Sequence, residues 1–126
     1  MKGLTKNDGD IIGFVFDCLY SGVIDKAELK EWAVHIVSNN DIDTIPSYII
    51  DLIDFNGSLS ALYSILGFSP GWKHTKKQGN ALYGISVKRG RELYDAPVTS
   101  QEAVETLEQH PEIEERFRET FQFIDF

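Results

Sequence analysis

This sequence predicts a mainly helical, single-domain bundle of about six helices. Two observations carry that expectation: apolar residues recur at i, i+3, i+4 and i+7 through most of the chain, and Gly, Pro and Asn clusters interrupt the pattern at short intervals. The 126 residues are the length of one domain, and a chain of that size buries roughly two-thirds of the surface its unfolded form exposes. Hydrophobic residues make up 42% and aromatic residues 12% of the chain, enough to build one core over residues 1–126.

Asn7 or Asp8 is placed to cap a first helix reaching about Tyr20. Ile11, Ile12, Phe14, Val15, Phe16 and Leu19 leave that helix little polar face, which marks it as central. Ser21-Gly22 ends it and Asp25 caps a second, in which Leu29, Trp32, Ala33, Ile36 and Val37 fit the helical template without a miss. Ile45, Tyr48, Ile49, Leu52 and Ile53 repeat the template in a third, closed by Asn56-Gly57. Ser58 then caps a fourth through Leu59, Leu62, Tyr63 and Leu66. Short connections of this kind join packed neighbours.

Gly67, Pro70, Gly71 and Gly79 punctuate residues 67–80 as a loop that carries Trp72 and ends in Lys73, Lys76 and Lys77. Ala81 to Tyr94 admits two readings. One is a helix with a Tyr83, Val87, Gly90, Tyr94 stripe. The alternative, which would make the fold α+β, is a hairpin at about 81–95 in which Tyr83, Ile85 and Val87 alternate and Lys88-Arg89-Gly90-Arg91 turns. Two interior glycines cost a helix about 1 kcal/mol each, but an isolated two-stranded hairpin is marginal without packing, so the helix is preferred. Pro97 ends this element, Ser100 caps a helix carrying Val104 and Leu107, and Pro111 suits the first turn of a last helix built on Ile113, Phe117, Phe121 and Ile124.

Motifs for chemistry are missing. His35, His74 and His110 are far apart, and none has a second ligand at metal-binding spacing, so neither a metal nor a cofactor is expected. His35 falls with Glu28 and Glu31 on the polar face of its helix. No G-x-S-x-G, H-E-x-x-H, P-loop or G-x-G-x-x-G occurs, and Asp41, Asp43, Asp51 and Asp54 lack the ligand order of a calcium loop. The chain is therefore expected not to be an enzyme, although a triad assembled only in space would escape this test. The lone Cys18 reads as a buried thiol. Residues 1–8 contain no apolar signal-peptide core and no stretch approaches the roughly 18 residues of a membrane span. A cytoplasmic protein without a membrane anchor is the expectation.

Charge is what remains. The formal net charge is −8, yet every charged residue between Lys73 and Arg91 is basic: Lys73, Lys76, Lys77, Lys88, Arg89 and Arg91. Elsewhere acids dominate. Asp43, Asp51 and Asp54 are expected on the third helix opposite Tyr48, Ile49 and Leu52, and Glu28 and Glu31 on the outer face of the second. A second run, Glu102, Glu105, Glu108, Glu112, Glu114, Glu115 and Glu119, follows Ser100. Such a field repels nucleic acid and accelerates encounter with a basic protein. Asp43, Asp51 and Asp54, with Glu28 and Glu31 as margin, are thus the candidate partner-binding residues, and Glu105 to Glu119 the rival face. The competing proposal is nucleic-acid binding through Lys76, Lys77, Lys88, Arg89 and Arg91 with Trp72 and Tyr83 stacking. It meets the difficulty that such domains are usually basic overall.

In general character, and in the texture of Leu66-Gly67-Phe68-Ser69-Pro70-Gly71-Trp72 and Ala81-Leu82-Tyr83-Gly84-Ile85, the chain resembles the small, acidic, single-domain immunity proteins of bacterial contact-dependent growth inhibition and related toxin systems. No defining motif accompanies the likeness. The resemblance implies a cytoplasmic inhibitor that binds the C-terminal toxin domain of a cognate effector, often a basic nuclease. It carries over no binding residue.

Overall fold

The computed structural model describes residues 1–126. Seven α-helices and two 3-10 turns make up its regular structure, and no strand forms. The helices are α1 (Asp10–Tyr20), α2 (Lys26–Asn39), α3 (Tyr48–Ile53), α4 (Leu62–Leu66), α5 (Lys76–Lys88), α6 (Ser100–Gln109) and α7 (Pro111–Thr120), with 3-10 turns at Ile42–Thr44 and Leu59–Ala61. The helical class expected from periodicity is the one adopted. The chain divides into two compact units, residues 1–17 with 25–72 and residues 18–24 with 73–126.

In the first unit, α2 begins where Asp25 and Glu28 cap each other. The Glu28 amide donates to Asp25 Oδ1 at 2.8 Å and the Asp25 amide to Glu28 Oε1 at 3.0 Å, which satisfies donors that a helix start otherwise leaves without partners. Leu29, Trp32, Ala33 and Ile36 are buried, and α2 packs against α3, whose Tyr48, Ile49 and Leu52 are also buried. The Tyr48 hydroxyl donates to the Leu4 carbonyl, so the N-terminal segment is held by a buried bond; burial pushes the phenol pKa well above its ordinary value. Trp72 lies in a loop, as its surroundings predict, yet it is only 8% exposed. Its ring meets Phe14 edge-on at 5.0 Å and its indole N–H donates to Asp17 at 2.8 Å. Gly13 permits this. A Cβ there would stand 2.7 Å from the Trp72 amide nitrogen, so only glycine lets the loop backbone lie on α1.

In the second unit, α5 bears out the helix at residues 81–88, corrects its bounds and overturns the hairpin. Thr75 and Gln78 form a capping box, with bonds of 3.1 and 2.9 Å, and this starts the helix at Lys76 rather than Ala81. Lys76 and Lys77 are therefore helical. Gly90, at φ +75°, takes the left-handed conformation that follows the helix end, so the helix stops at Lys88 and no hairpin forms. The buried side is Ala81, Leu82, Gly84, Ile85 and Ser86, whereas Tyr83 and Val87 are half-buried and Tyr94 stands 80% exposed beyond the helix. Ser86 is fully buried and its hydroxyl donates to the Gly22 carbonyl at 3.4 Å. The cap of α6 is Thr99, paired with Glu102, and Ser100 is the first helical residue. Pro111 opens α7 as expected, with Ile113 and Phe117 buried and Phe121 buried just past the helix end. Cys18 is buried and in no disulfide.

The most extensive helix packing in this unit is α5 on α6. It depends on Gly84, where a Cβ would fall 2.5 Å from the Ala103 carbonyl oxygen and 2.7 Å from Leu107 Cβ. Glycine costs about 1 kcal/mol of helix propensity, and the close packing offsets that cost.

Two stability outcomes follow. Trp32 is 2% exposed, so Trp32→Ala should cost about 3 to 5 kcal/mol in a denaturant titration; a loss below about 1 kcal/mol would mean the site collapses around the missing ring. Gly84→Ala should destabilise by about 1 to 3 kcal/mol despite the better propensity. On the same helix, a Cβ at Gly79 would meet only the His74 ring, at 3.2 Å, so Gly79→Ala should be neutral or stabilising by up to about 1 kcal/mol. Equal effects of the two glycine substitutions would remove the close-packing account of Gly84.

Candidate protein-binding surface

The two units carry charge very differently. Ten of the acidic residues and four of the basic ones lie in the first unit, a formal charge of −6, against −2 for the second. Between Lys30 and Lys73 there is no lysine or arginine at all. The candidate residues Asp43, Asp51, Asp54, Glu28 and Glu31 all belong to the first unit.

Their positions refine the expected geometry. Asp43 is not on the third helix. Pro46 delays the start of α3 to Tyr48, and Asp43 sits in the 3-10 turn Ile42–Thr44, where the Thr44 hydroxyl donates to the Asp41 carbonyl at 2.6 Å. Asp51 is on α3, and Asp54 is its C-cap residue. All three aspartates are exposed and take no part in the ion pairs of the fold. A carboxylate at the C-terminal end of a helix meets the negative end of the backbone dipole, an unfavourable placement of a few tenths of a kcal/mol at a surface, roughly the low end of such effects. Local stability therefore does not account for Asp54. Glu31 is likewise exposed on α2. Glu28 differs, being half-buried and committed to the capping box, so its carboxylate first serves the fold.

Charge patterning alone passed over two apolar residues in the same region. Ile42, flanked by Asp41 and Asp43, is 61% exposed, and Ile50, beside Asp51, is 37% exposed. At 100° per residue, Ile50 falls next to Asp54, with Asp51 beyond it, on the side of α3 away from Tyr48, Ile49 and Leu52. That spacing was present in the sequence, but the apolar stripe of its neighbours masked it.

In the rival run of the second unit, Glu102, Glu105, Glu112 and Glu114 are engaged within the fold, while Glu108, Glu115 and Glu119 are exposed. Glu114 pairs with Lys88 at 2.9 Å and with Arg118 at 3.4 Å. Glu112 accepts from His110 at 3.0 Å and from Gln78 at 3.4 Å, Glu102 completes the α6 cap and Glu105 accepts from Gln101 at 3.1 Å. The basic stretch is also drawn inward at its C-terminal end, where Arg89 donates to the Val23 carbonyl and lies 5.9 Å over the Phe117 ring. Lys73, Lys76 and Lys77 remain exposed. His35 and His74 are exposed and His110 sits at the α6–α7 junction; no three His, Cys, Asp or Glu side chains converge on a common point. No helix is long and apolar enough to cross a membrane.

The chain matches no protein-family model, no curated protein and no solved structure, so no relative assigns a role to any of these residues.

The engagement of the second run can be measured at Glu112. Its own backbone N–H and then His110 hold its carboxyl below the ordinary glutamate range. A folded pKa below the unfolded one means that the contribution to stability is present above the unfolded value and is lost as pH falls through the folded one. In an NMR titration Glu112 should therefore protonate later than a free glutamate as pH is lowered, and His110→Ala should move it part of the way back. An unchanged midpoint in that variant would show that the histidine contact is absent in solution.

Proposed function

We propose that this chain is a stoichiometric protein inhibitor, of the immunity-protein kind it resembles, that binds and neutralises a cognate toxin domain of basic charge, such as a nuclease. The observation that supports this reading best is the contrast between the two acidic regions. Asp43, Asp51 and Asp54 are exposed and outside the ion pairs of the fold, whereas Glu102, Glu105, Glu112 and Glu114 are tied to partners in their own unit. An acidic surface of this kind steers a cationic partner and competes with the anionic substrate of a nuclease for the same site. Exposed Ile42 and Ile50 supply apolar contact among the acids, the composition of an interface centre with a charged rim.

Binding of nucleic acid through the basic stretch has less support. Lys88, Arg89 and Arg91 have partners within the protein, and the overall charge of −8 opposes a long polyanion.

The test uses the partner recovered with the tagged full chain from its native cells and purified. Asp51→Lys with Asp54→Lys should leave stability within about 0.5 kcal/mol, slow association in surface plasmon resonance and remove most of the salt dependence of that rate. The same reversal at Glu112 and Glu115 is the control and should change association far less. Association and dissociation rates unaltered by the Asp51 and Asp54 reversals at low and high salt would eliminate this surface.

A further inference from the structure

Asparagine followed by glycine is the dipeptide at which a chain most readily attacks its own side chain. The backbone nitrogen of the second residue is the nucleophile and the side-chain carbonyl of the first is the target, and with no Cβ on the glycine nothing shields that nitrogen. A fold suppresses the reaction wherever it ties either group into a hydrogen bond, because the two then do not reach the roughly 3 to 3.5 Å separation that attack requires. The chain has five asparagines, at positions 7, 39, 40, 56 and 80, and the fold treats them unequally.

Four are restrained. The Asn39 and Asn40 side chains donate to the His35 and Ile36 carbonyls at 2.8 and 2.9 Å. The amide that follows Asn7 belongs to Asp8 and donates to Thr5 Oγ1 at 3.2 Å. Asn80 lies inside α5, where the amide that follows it is part of the helical ladder. Asn56 differs in each respect. It is exposed, stands in the irregular segment between α3 and the 3-10 turn Leu59–Ala61, and precedes Gly57. Neither its side chain nor the Gly57 amide has a partner in the protein. The one bond at Gly57 is at its carbonyl, which accepts from the Lys26 ammonium at 2.8 Å and leaves the nitrogen open. The Asp8-Gly9 pair is no rival, since Asp8 Oδ2 accepts from the Gly3 amide at 3.1 Å and an ionised carboxylate is a poor electrophile.

We propose that Asn56-Gly57 is a site of spontaneous modification at which the protein acquires one further negative charge. The Gly57 nitrogen forms a bond to Asn56 Cγ, its proton leaves with the side-chain nitrogen as ammonia, and a five-membered succinimide results. Water then opens the ring. Attack at the side-chain carbonyl gives aspartate, and attack at the backbone carbonyl gives isoaspartate, in which the chain runs through the side chain and the α-carboxylate is the free one. One water enters, one ammonia leaves, and no other reactant is needed. Either product places a carboxylate close beyond Asp54, in a unit already at −6. Isoaspartate also lengthens the backbone by a methylene just after Phe55, whose side chain is buried. The site does not rest on the inhibitor reading, since it uses none of the residues of the acidic surface.

Incubation of the full chain at physiological temperature, in buffer made with water of isotopically heavy oxygen, tests the site by peptide mass spectrometry. Asn56 should convert to a mixture of aspartate and isoaspartate that carries one heavy oxygen, faster in mildly alkaline than in mildly acidic buffer because the attacking nitrogen must lose its proton. Asn7, Asn39, Asn40 and Asn80 should stay intact over the same period. In urea, with the chain unfolded, Asn56 should convert at a similar rate, since nothing in the fold holds it. Asn56→Gln, whose ring would need six members, should remain unmodified and give one band in isoelectric focusing, while the wild type gains a more acidic one. A folded-state rate about 10-fold or more below the unfolded one, equivalent to about 1.4 kcal/mol of added barrier, overturns the proposal. So does conversion of the other asparagines at the same rate as Asn56, or an acidic band that persists in Asn56→Gln.

Discussion

Close approach of backbone to a helix, at a point with no room for a methyl group, is the constraint on which both units depend. In the first, Gly13 on α1 lets the backbone of Gly71 and Trp72 lie against the helix. That approach brings the Trp72 ring to Phe14 and its N–H to Asp17. In the second, Gly84 does the same for α5 on α6, and the buried side of α5 follows from which residues flank that glycine. Interiors packed this tightly cannot give way by the width of a methyl group without moving a helix. Glycine at these positions is thus a packing residue.

Charge is distributed around this framework with a division of labour. In the second unit, several carboxylates are partnered: Glu114 joins Lys88 to Arg118, and Glu112 joins His110 to Gln78. Surface pairs of this kind contribute little to stability individually. In the first unit the aspartates of the 3-10 turn and of α3 have no such partners. Their field acts on whatever approaches the protein, which is the physical basis for reading this surface as one that captures a basic partner.

How much of this was legible in the sequence depends on the distance over which each cause acts. The α2 stripe was plain because Leu29, Trp32, Ala33 and Ile36 recur at the helical period, and Asp25 announces its start. The start of α5 was equally local, in Thr75 and Gln78, but the lysines around them and Gly79 gave the segment the look of a loop. Asp43 was drawn onto the third helix by continuity of charge, although Pro46 stood between them. Of the candidate surface, the residue identities were legible and their exposure largely so. The commitment of Glu28 to a cap was not recognised, though the spacing from Asp25 contains it.

The sequence by itself determined the helical class, the burial of the main stripes and the excess of acid in the first half, because each arises from neighbours within a turn or two along the chain. Tertiary structure alone decided which carboxylates are occupied, why Gly84 sits in a helix, and where Lys88, Glu114 and Arg118 meet. These outcomes pair residues such as Lys88 and Glu114, which no local period relates. They exist only once the packing of α5 with α6 and α7 has set the distances between them.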